Sequence, residues 1–240
     1  MAVLYTEALN KIFVSGNEQV HAVNQVSEEI PDGKLTILRG RSGSGKTTLI
    51  NLLGALDRPT SGHVFFEGND ITVAPEGDRD KLRRESFAFV FQSVALISVM
   101  SAIENVEFGL RVASYPFKTR AKRAAECLAM VGLSSRASHR PDELSGGEQQ
   151  RVAIARAIAH KPKILFVDEP TANLDTNMGL KVVMLFRELI SREGVSIVMT
   201  THDPHMIELA DRVYTLEDGT VVNRQDNIID LSGEEGGKPA

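Results

Sequence analysis

At 240 residues the chain can form one large domain or two small ones around a well-developed core. Its 42% hydrophobic and 25% charged residues are those of an ordinary globular protein, and its formal net charge of -5 argues against nucleic acid as the main partner, since phosphate backbones call for a basic surface. The single cysteine, Cys127, excludes an intramolecular disulfide and fits a reducing compartment.

Met1 to Val14 carries Glu7 and Asn10 in place of a basic-then-apolar leader, so export is not expected. The short, alternating patterns around Tyr5–Val26 and His63–Ile71 predict a small antiparallel sheet. Between them Leu35–Leu38 is an apolar strand that ends on a glycine-rich loop at Gly40. The next segment, Thr47–Leu56, places Leu49, Ile50, Leu52, Leu53 and Leu56 on one broad helical face. Phe87–Phe91 is a second strand, running into Gln92. The apolar stretch it opens, up to Met100, is broken by Gln92, Ser93 and Ser98 and falls short of the ~18 residues a membrane span needs. Any spans must therefore come from another chain.

Helical periodicity returns over Lys118–Val131, where Cys127 lies among Ala124, Leu128 and Val131 as a buried apolar side chain, and over Gly147–His160. Ile164–Val167 is a third apolar strand, followed by Asp168 and Glu169. A helix over Leu180–Ser191 leads to a fourth, Ser196–Thr200, followed by His202. Tyr214–Val222 reads as a hairpin centred on Asp218-Gly219, and 231–240 is polar, glycine-rich and expected to be disordered. Strands alternating with helices predict an α/β fold with a mainly parallel sheet, whose ligands sit beyond the carboxyl ends of the strands. All four apolar strands run into polar groups at that edge: Gly40 and its loop, Gln92, the Asp168-Glu169 pair, and His202.

Gly40-Arg41-Ser42-Gly43-Ser44-Gly45-Lys46-Thr47 fits GxxxxGK[ST] without a mismatch, and Thr48 continues into the helix. Glycines let backbone N–H groups close around phosphate oxygens, and the helix that follows points its positive end at the same place. Lys46 is expected to reach the outer phosphates and Thr47 to offer its hydroxyl to Mg²⁺. The plain alternative is a Gly/Ser-rich turn. A strand ending in Asp168 and Glu169 is common in itself. Beside the Lys46 loop it becomes a nucleoside-triphosphate site, with Asp168 in the metal shell and Glu169 as general base or water-orienting group.

Leu144-Ser145-Gly146-Gly147-Glu148-Gln149-Gln150-Arg151 contains a helix-capping box, Ser145-x-x-Glu148. Capping leaves unexplained two glycines in the first turn, where they cost helix propensity. Bare N–H groups at a helix start suit a phosphate, yet the Lys46 loop already fills that role for this chain. The second phosphate-binding end is therefore expected to serve a nucleotide held by another subunit.

With these motifs in order, the sequence from Leu9 to about Val222 resembles the ABC ATPase family. The Ser145 segment is similar to that family's LSGGQ signature, with Glu148 in place of the usual Gln. The resemblance implies a P-loop NTPase (RecA-like) core with an antiparallel β subdomain (about 1–92 and 161–225) and an inserted helical subdomain (about 93–160), in one domain spanning 1–230. It also implies that Phe13 stacks on adenine, that Gln92 touches Mg²⁺ and faces a membrane partner, and that His202 approaches the γ-phosphate. Asp175, in Asn173-Leu174-Asp175, is implied to contact the opposite subunit. Each has a plain alternative: a core Phe, a surface Gln, a lone strand-end His, a turn and helix cap.

ATP and Mg²⁺ are the implied ligands, and Lys46, Gln92, Glu169 and His202 the catalytic set. A second ATPase subunit, most simply an identical one, supplies Ser145, Gly147 and Asp175 in trans. By the same resemblance ATP is expected to bridge the two halves, and its hydrolysis to release them and drive separate transmembrane permease subunits from the cytoplasmic face of the membrane. Leu53–Gly62, Phe89–Gln92 and Glu104–Glu107 are similar to the lipoprotein-release, macrolide-export and antimicrobial-peptide-resistance group. The alternative is a non-transport ABC ATPase. DNA-maintenance members need long coiled-coil or zinc inserts and translation factors usually carry two nucleotide domains; neither feature is present. A different P-loop enzyme, such as a GTPase, leaves Leu144–Arg151 unexplained, and a binding module with a dead site does not need Lys46, Asp168, Glu169 and His202 together.

Overall fold

Two sheets organise the chain in the computed structural model, which describes residues 1–16, 18–170 and 176–227. In chain order the strands are β1 (Ala2–Ser15), β2 (Glu18–Val26), β3 (Glu29–Pro31), β4 (Leu35–Arg39), β5 (Ser61–Phe66), β6 (Asn69–Asp70), β7 (Phe87–Val90), β8 (Ile164–Val167), β9 (Ser196–Thr200), β10 (Arg212–Glu217) and β11 (Thr220–Asp226). The helices are α1 (Lys46–Leu53), α2 (Glu76–Glu85), α3 (Ala102–Val112), α4 (Phe117–Met130), α5 (Gly146–Ile158), α6 (Thr176–Glu193) and α7 (Pro204–Ile207).

The larger sheet has the order β11-β10-β4-β9-β8-β7, parallel throughout except for the β10–β11 hairpin. Register sets Leu38 beside Thr200 and Val90 beside Val167, so the carboxyl ends of β4, β7, β8 and β9 finish along one edge. The smaller sheet is antiparallel, ordered β2-β1-β5-β6 with β3 on the early part of β1.

Every residue of β8 and β9 is buried, because both faces of the sheet are covered. Alternate side chains divide between two apolar clusters. Leu165 and Val167 join Ala88, Val90, Ile197 and Met199 on one face, packed by buried residues of α3, α4 and α5 including Val106, Leu128 and Ile154. Cys127 is fully buried here, and burial pushes its thiol up to about 11. Ile164 and Phe166 face the other cluster, with α1 and the small sheet. Edge-to-face contacts from Phe66 to Phe87 (4.8 Å) and Phe87 to Phe166 (5.5 Å) link the two sheets.

Three helices, α2, α3 and the short α7, lie outside the segments whose apolar periodicity predicts a helix. α2 has no apolar stripe: Arg79 is its buried residue, donating to the carbonyls of Ala55 (2.7 Å) and Asp57 (2.9 Å). α3 starts from a capping box, with the Glu104 carboxylate accepting from the Ser101 N–H at 2.8 Å. The 231–240 tail lies outside the described residues.

Candidate functional site

β4 ends at Arg39 and α1 begins at Lys46, so Gly40–Gly45 must turn the chain within six residues. Two of its glycines are required by geometry. A Cβ on Gly40 (φ +154) would lie 2.4 Å from the Leu216 carbonyl and 2.5 Å from Ser44 Oγ. One on Gly45 (φ +100) would lie 2.1 Å from the Ala22 carbonyl. Lys46 is only 7% exposed, and its Nζ folds back to the carbonyls of Gly40 (2.9 Å) and Arg41 (3.0 Å). Ser44 Oγ is buried and has no hydrogen-bond partner among the described residues, an orphaned hydroxyl that suits a phosphate oxygen. The loop borders a cleft of about 390 Å³ closed by Thr215–Asp218, and Ser42 and Gly43 are exposed along it. Thr48 is half-buried in the first turn of α1.

The turn of the β10–β11 hairpin braces this loop. The Gly219 N–H donates to the Ser44 carbonyl (3.1 Å), and the Gly219 carbonyl accepts from the Asn24 N–H of β2 (2.8 Å).

A relay of hydrogen bonds joins the strand ends. Thr47 Oγ1 donates to Asp168 (3.0 Å to Oδ2), and Thr200 Oγ1 donates to Asp168 Oδ1 at 2.7 Å. The same Thr200 oxygen accepts from the Glu169 N–H at 2.8 Å. Glu169 holds φ +44, a left-handed backbone uncommon for any residue but glycine, and Thr200 is its tether. Thr200, fully buried, is a site residue the sequence reading did not single out; the polar Thr-Thr-His run closing an apolar strand was the available signal. Among the described residues no three His, Cys, Asp or Glu side chains converge as a metal cage. A Thr hydroxyl beside one carboxylate suits instead a hard cation that draws its remaining ligands from phosphates and water, as Mg²⁺ does.

His202, exposed just past β9, shares a second cleft of about 540 Å³ with Arg39, Gly40 and Arg41. Gln92 is exposed just past β7. Phe13 is 45% exposed on β1, which removes the core alternative, and the Lys11 ammonium stands 5.1 Å from its ring centre. Asp175 lies outside the described residues.

Ser145 and Gly147 stand apart from the relay, with no hydrogen bond to it among the described residues. Ser145 is the exposed N-cap of α5. Its Oγ accepts from the Glu148 N–H (3.3 Å), and the Glu148 carboxylate accepts from the Ser145 N–H (2.9 Å), so the expected capping box is present. Those bonds to the Ser145 N–H and hydroxyl, helped by Arg136, hold the Glu148 carboxyl below its usual range. A Cβ on Gly146 would meet nothing within 4 Å among the described residues, so their packing does not call for a glycine there.

The protein-family description "ABC transporter" matches residues 23–172. Over 212 residues the chain is 41% identical to an uncharacterized ABC transporter ATP-binding protein of Methanocaldococcus jannaschii, covering 88% of this chain and 94% of that one. It is also 41% identical over 228 residues to a macrolide export ATP-binding/permease protein of Wolinella succinogenes, covering 95% of this chain and 35% of that one. The chain thus spans about a third of the length of the macrolide-export relatives it matches. Among solved structures, the dimeric bacterial ABC transporter cassette MJ0796 aligns with a TM-score of 0.86 at 37% identity, over 93% of this chain and 98% of that one. A dimeric post-hydrolysis state of that cassette, bound to ADP and Pi, aligns with a TM-score of 0.85. Sharing the family's sequence pattern over most of its length and a cassette's fold over nearly all of it, this chain belongs to the ABC transporter family as one of its ATP-binding cassettes.

Proposed function

We propose that the chain binds and hydrolyses ATP between two subunits and so powers separate membrane permease subunits. The observation that carries this reading is the Thr47–Asp168–Thr200–Glu169 relay, which ties a hydroxyl, a carboxylate and a candidate base to the Gly40–Lys46 loop. Backbone N–H groups of Gly40–Gly45 and the Lys46 ammonium bind the phosphates, and Ser44 Oγ gains a partner. Thr47, Asp168 and Gln92 are the residues placed to hold Mg²⁺, which when bound supplies charge neutralisation on the phosphates. Glu169 orients the attacking water and accepts its proton, and His202 lies beside the γ-phosphate. Phe13 offers its exposed ring to the base.

Ser145, Gly147 and Asp175 complete the site of a second copy, an arrangement a two-fold dimer makes reciprocally. Its support is the exposed, capped α5 start and the glycine at 146 that the packing of the described residues does not require, together with dimers among the related solved structures. Among the described residues no helix is long and apolar enough to cross a membrane; in this reading the permease supplies the spans and the cassette works peripherally, on the cytoplasmic face. Of the export, lipoprotein-release and peptide-resistance types, the relatives named for macrolide export support the export type.

The test is light scattering on a size-exclusion column with Glu169→Gln, which keeps ATP but blocks hydrolysis. A monomer that becomes a dimer only with Mg-ATP supports the shared site. A variant that binds ATP yet stays monomeric, and still does so with the permease added, refutes it.

A further inference from the structure

The loop between Gln92 and α3 is held from two helices. Asn105 of α3, fully buried, accepts from the Ile97 N–H (2.8 Å) and donates to the carbonyls of Ile97, Met100 and Ser101 at 3.0–3.2 Å. That amide closes the far end of the loop. The near end, next to Gln92, is held by Arg156 of α5, whose Nη1 donates to the Ala95 carbonyl at 2.9 Å, with a longer approach of Nη2 to the Val94 carbonyl at 3.5 Å. Ala95 itself takes φ +43, a conformation that alanine avoids unless something holds it.

Arg156 is a half-buried cation. Among the described residues no carboxylate pairs with it, and burial lowers its guanidinium pKa. A half-buried guanidinium without a carboxylate carries a desolvation cost that its bonding to the loop carbonyls must offset. Its stem passes beneath α3 at Gly109, where a Cβ would lie 2.9 Å from Arg156 Cγ and 3.2 Å from the Arg156 carbonyl. Gly109 therefore lets α3 lie close against both the stem and the backbone of Arg156. Arg156 lies about three turns along the helix that Ser145 caps. One rigid element thus carries the exposed phosphate-binding start at one end and the grip on the loop after Gln92 at the other.

We propose that Arg156 is a positioning residue that transmits docking at Ser145 to the Gln92 loop, so that the subunit completing one nucleotide site resets Gln92 in its own. The inference rests on the shared-site function above. A tilt or shift of α5 on docking must either drag Val94 and Ala95 with it or break their bonds to Arg156.

The experiment uses the full chain carrying Glu169→Gln and Val99→Cys. Val99 is 74% exposed within the loop, and Cys127 is buried with its thiol pushed up to about 11, so an environment-sensitive maleimide dye labels position 99. Mass by light scattering and dye fluorescence are followed in one Mg-ATP titration. With Arg156 intact, both change together. Arg156→Met is expected to dimerise at the same ATP concentration within about twofold while the fluorescence change falls at least threefold. Gly109→Ala, which displaces the same side chain while keeping its charge, is expected to behave likewise, and Arg156→Lys to recover part of the signal. With Glu169 restored and no dye, Arg156→Met is expected to lower kcat about tenfold with KM within twofold. A full fluorescence change in Arg156→Met overturns the proposal. So does a loss that only accompanies loss of dimerisation in both Arg156→Met and Gly109→Ala, which makes Arg156 part of the fold alone. Failure of the Arg156-bearing chain to dimerise refutes the shared site itself, a separate result.

Discussion

Thr200→Val is the sharpest test of the relay. Valine keeps the shape of threonine at this fully buried position and removes only the oxygen. That oxygen donates to Asp168 Oδ1 at 2.7 Å and accepts from the Glu169 N–H at 2.8 Å. A hydrogen bond to a charged group contributes about 1.5–3 kcal/mol, and a buried donor left unpaired costs about 1–3 kcal/mol. Both losses fall on one atom and do not add fully, so a destabilisation of about 3 kcal/mol is expected in urea unfolding. The larger effect is on turnover. Without its tether the Glu169 backbone is free to leave φ +44, and displacement of a catalytic group by about 1 Å costs on the order of a hundredfold in kcat. ATP affinity, set mainly by the Gly40–Lys46 loop, is expected to change less than about threefold. Thr200→Ser keeps the oxygen and loses one methyl, about 1 kcal/mol of packing, and is expected to retain most of its turnover. Equal loss of kcat in the Val and Ser variants, or loss of affinity in step with kcat, refutes the reasoning.

Gly45→Ala places a Cβ 2.1 Å from the Ala22 carbonyl at φ +100, and is expected to lose about 2–4 kcal/mol of stability together with nucleotide binding. Gly43→Ala, with nothing within 4 Å, meets only the backbone strain and is expected to lose about 1–2 kcal/mol; denaturant midpoints separate the two. The Glu148 carboxyl is held below its ordinary 4.5, so the stability it adds is fully present above that pH and vanishes as pH falls through the lowered value. The gap in urea midpoint between the natural chain and Glu148→Ala is therefore expected to be constant from neutral pH to about pH 5 and to close under acid. Cys127, buried with its thiol pushed up to about 11, is expected to ignore a thiol reagent near neutral pH in the native chain and to react once in urea.

The four strands β4, β7, β8 and β9 were legible because they are buried on both faces and read as mostly apolar runs, and their carboxyl ends do finish along one edge. The Gly40–Thr47 loop and the Ser145-Glu148 capping box were legible because glycine spacing and capping chemistry are local. What the sequence concealed depends on tertiary partners. α2 is held by Arg79 reaching the carbonyls of Ala55 and Asp57, a contact that leaves no periodicity. Thr200 joins Asp168 and Glu169 only because β9 pairs with β8, and threonine in a strand is ordinary in itself. Arg156 shows nothing along the chain to distinguish it from a surface arginine, since its meaning lies in Gly109 beneath it and Ala95 beyond.

The order in which the sheet draws on the chain has a consequence for biogenesis. β4, which launches the phosphate loop, pairs on one side with β9 and on the other with β10, and Ser44 leans on Gly219. On a ribosome, the loop emerges well before its flanking strands, β9 at Ser196–Thr200 and β10 at Arg212–Glu217, and before its brace at Gly219. Contacts so distant in sequence close late. The nascent chain therefore holds β4 without either of its sheet partners until β9 and β10 have been made, and nucleotide can act as a folding ligand only after them.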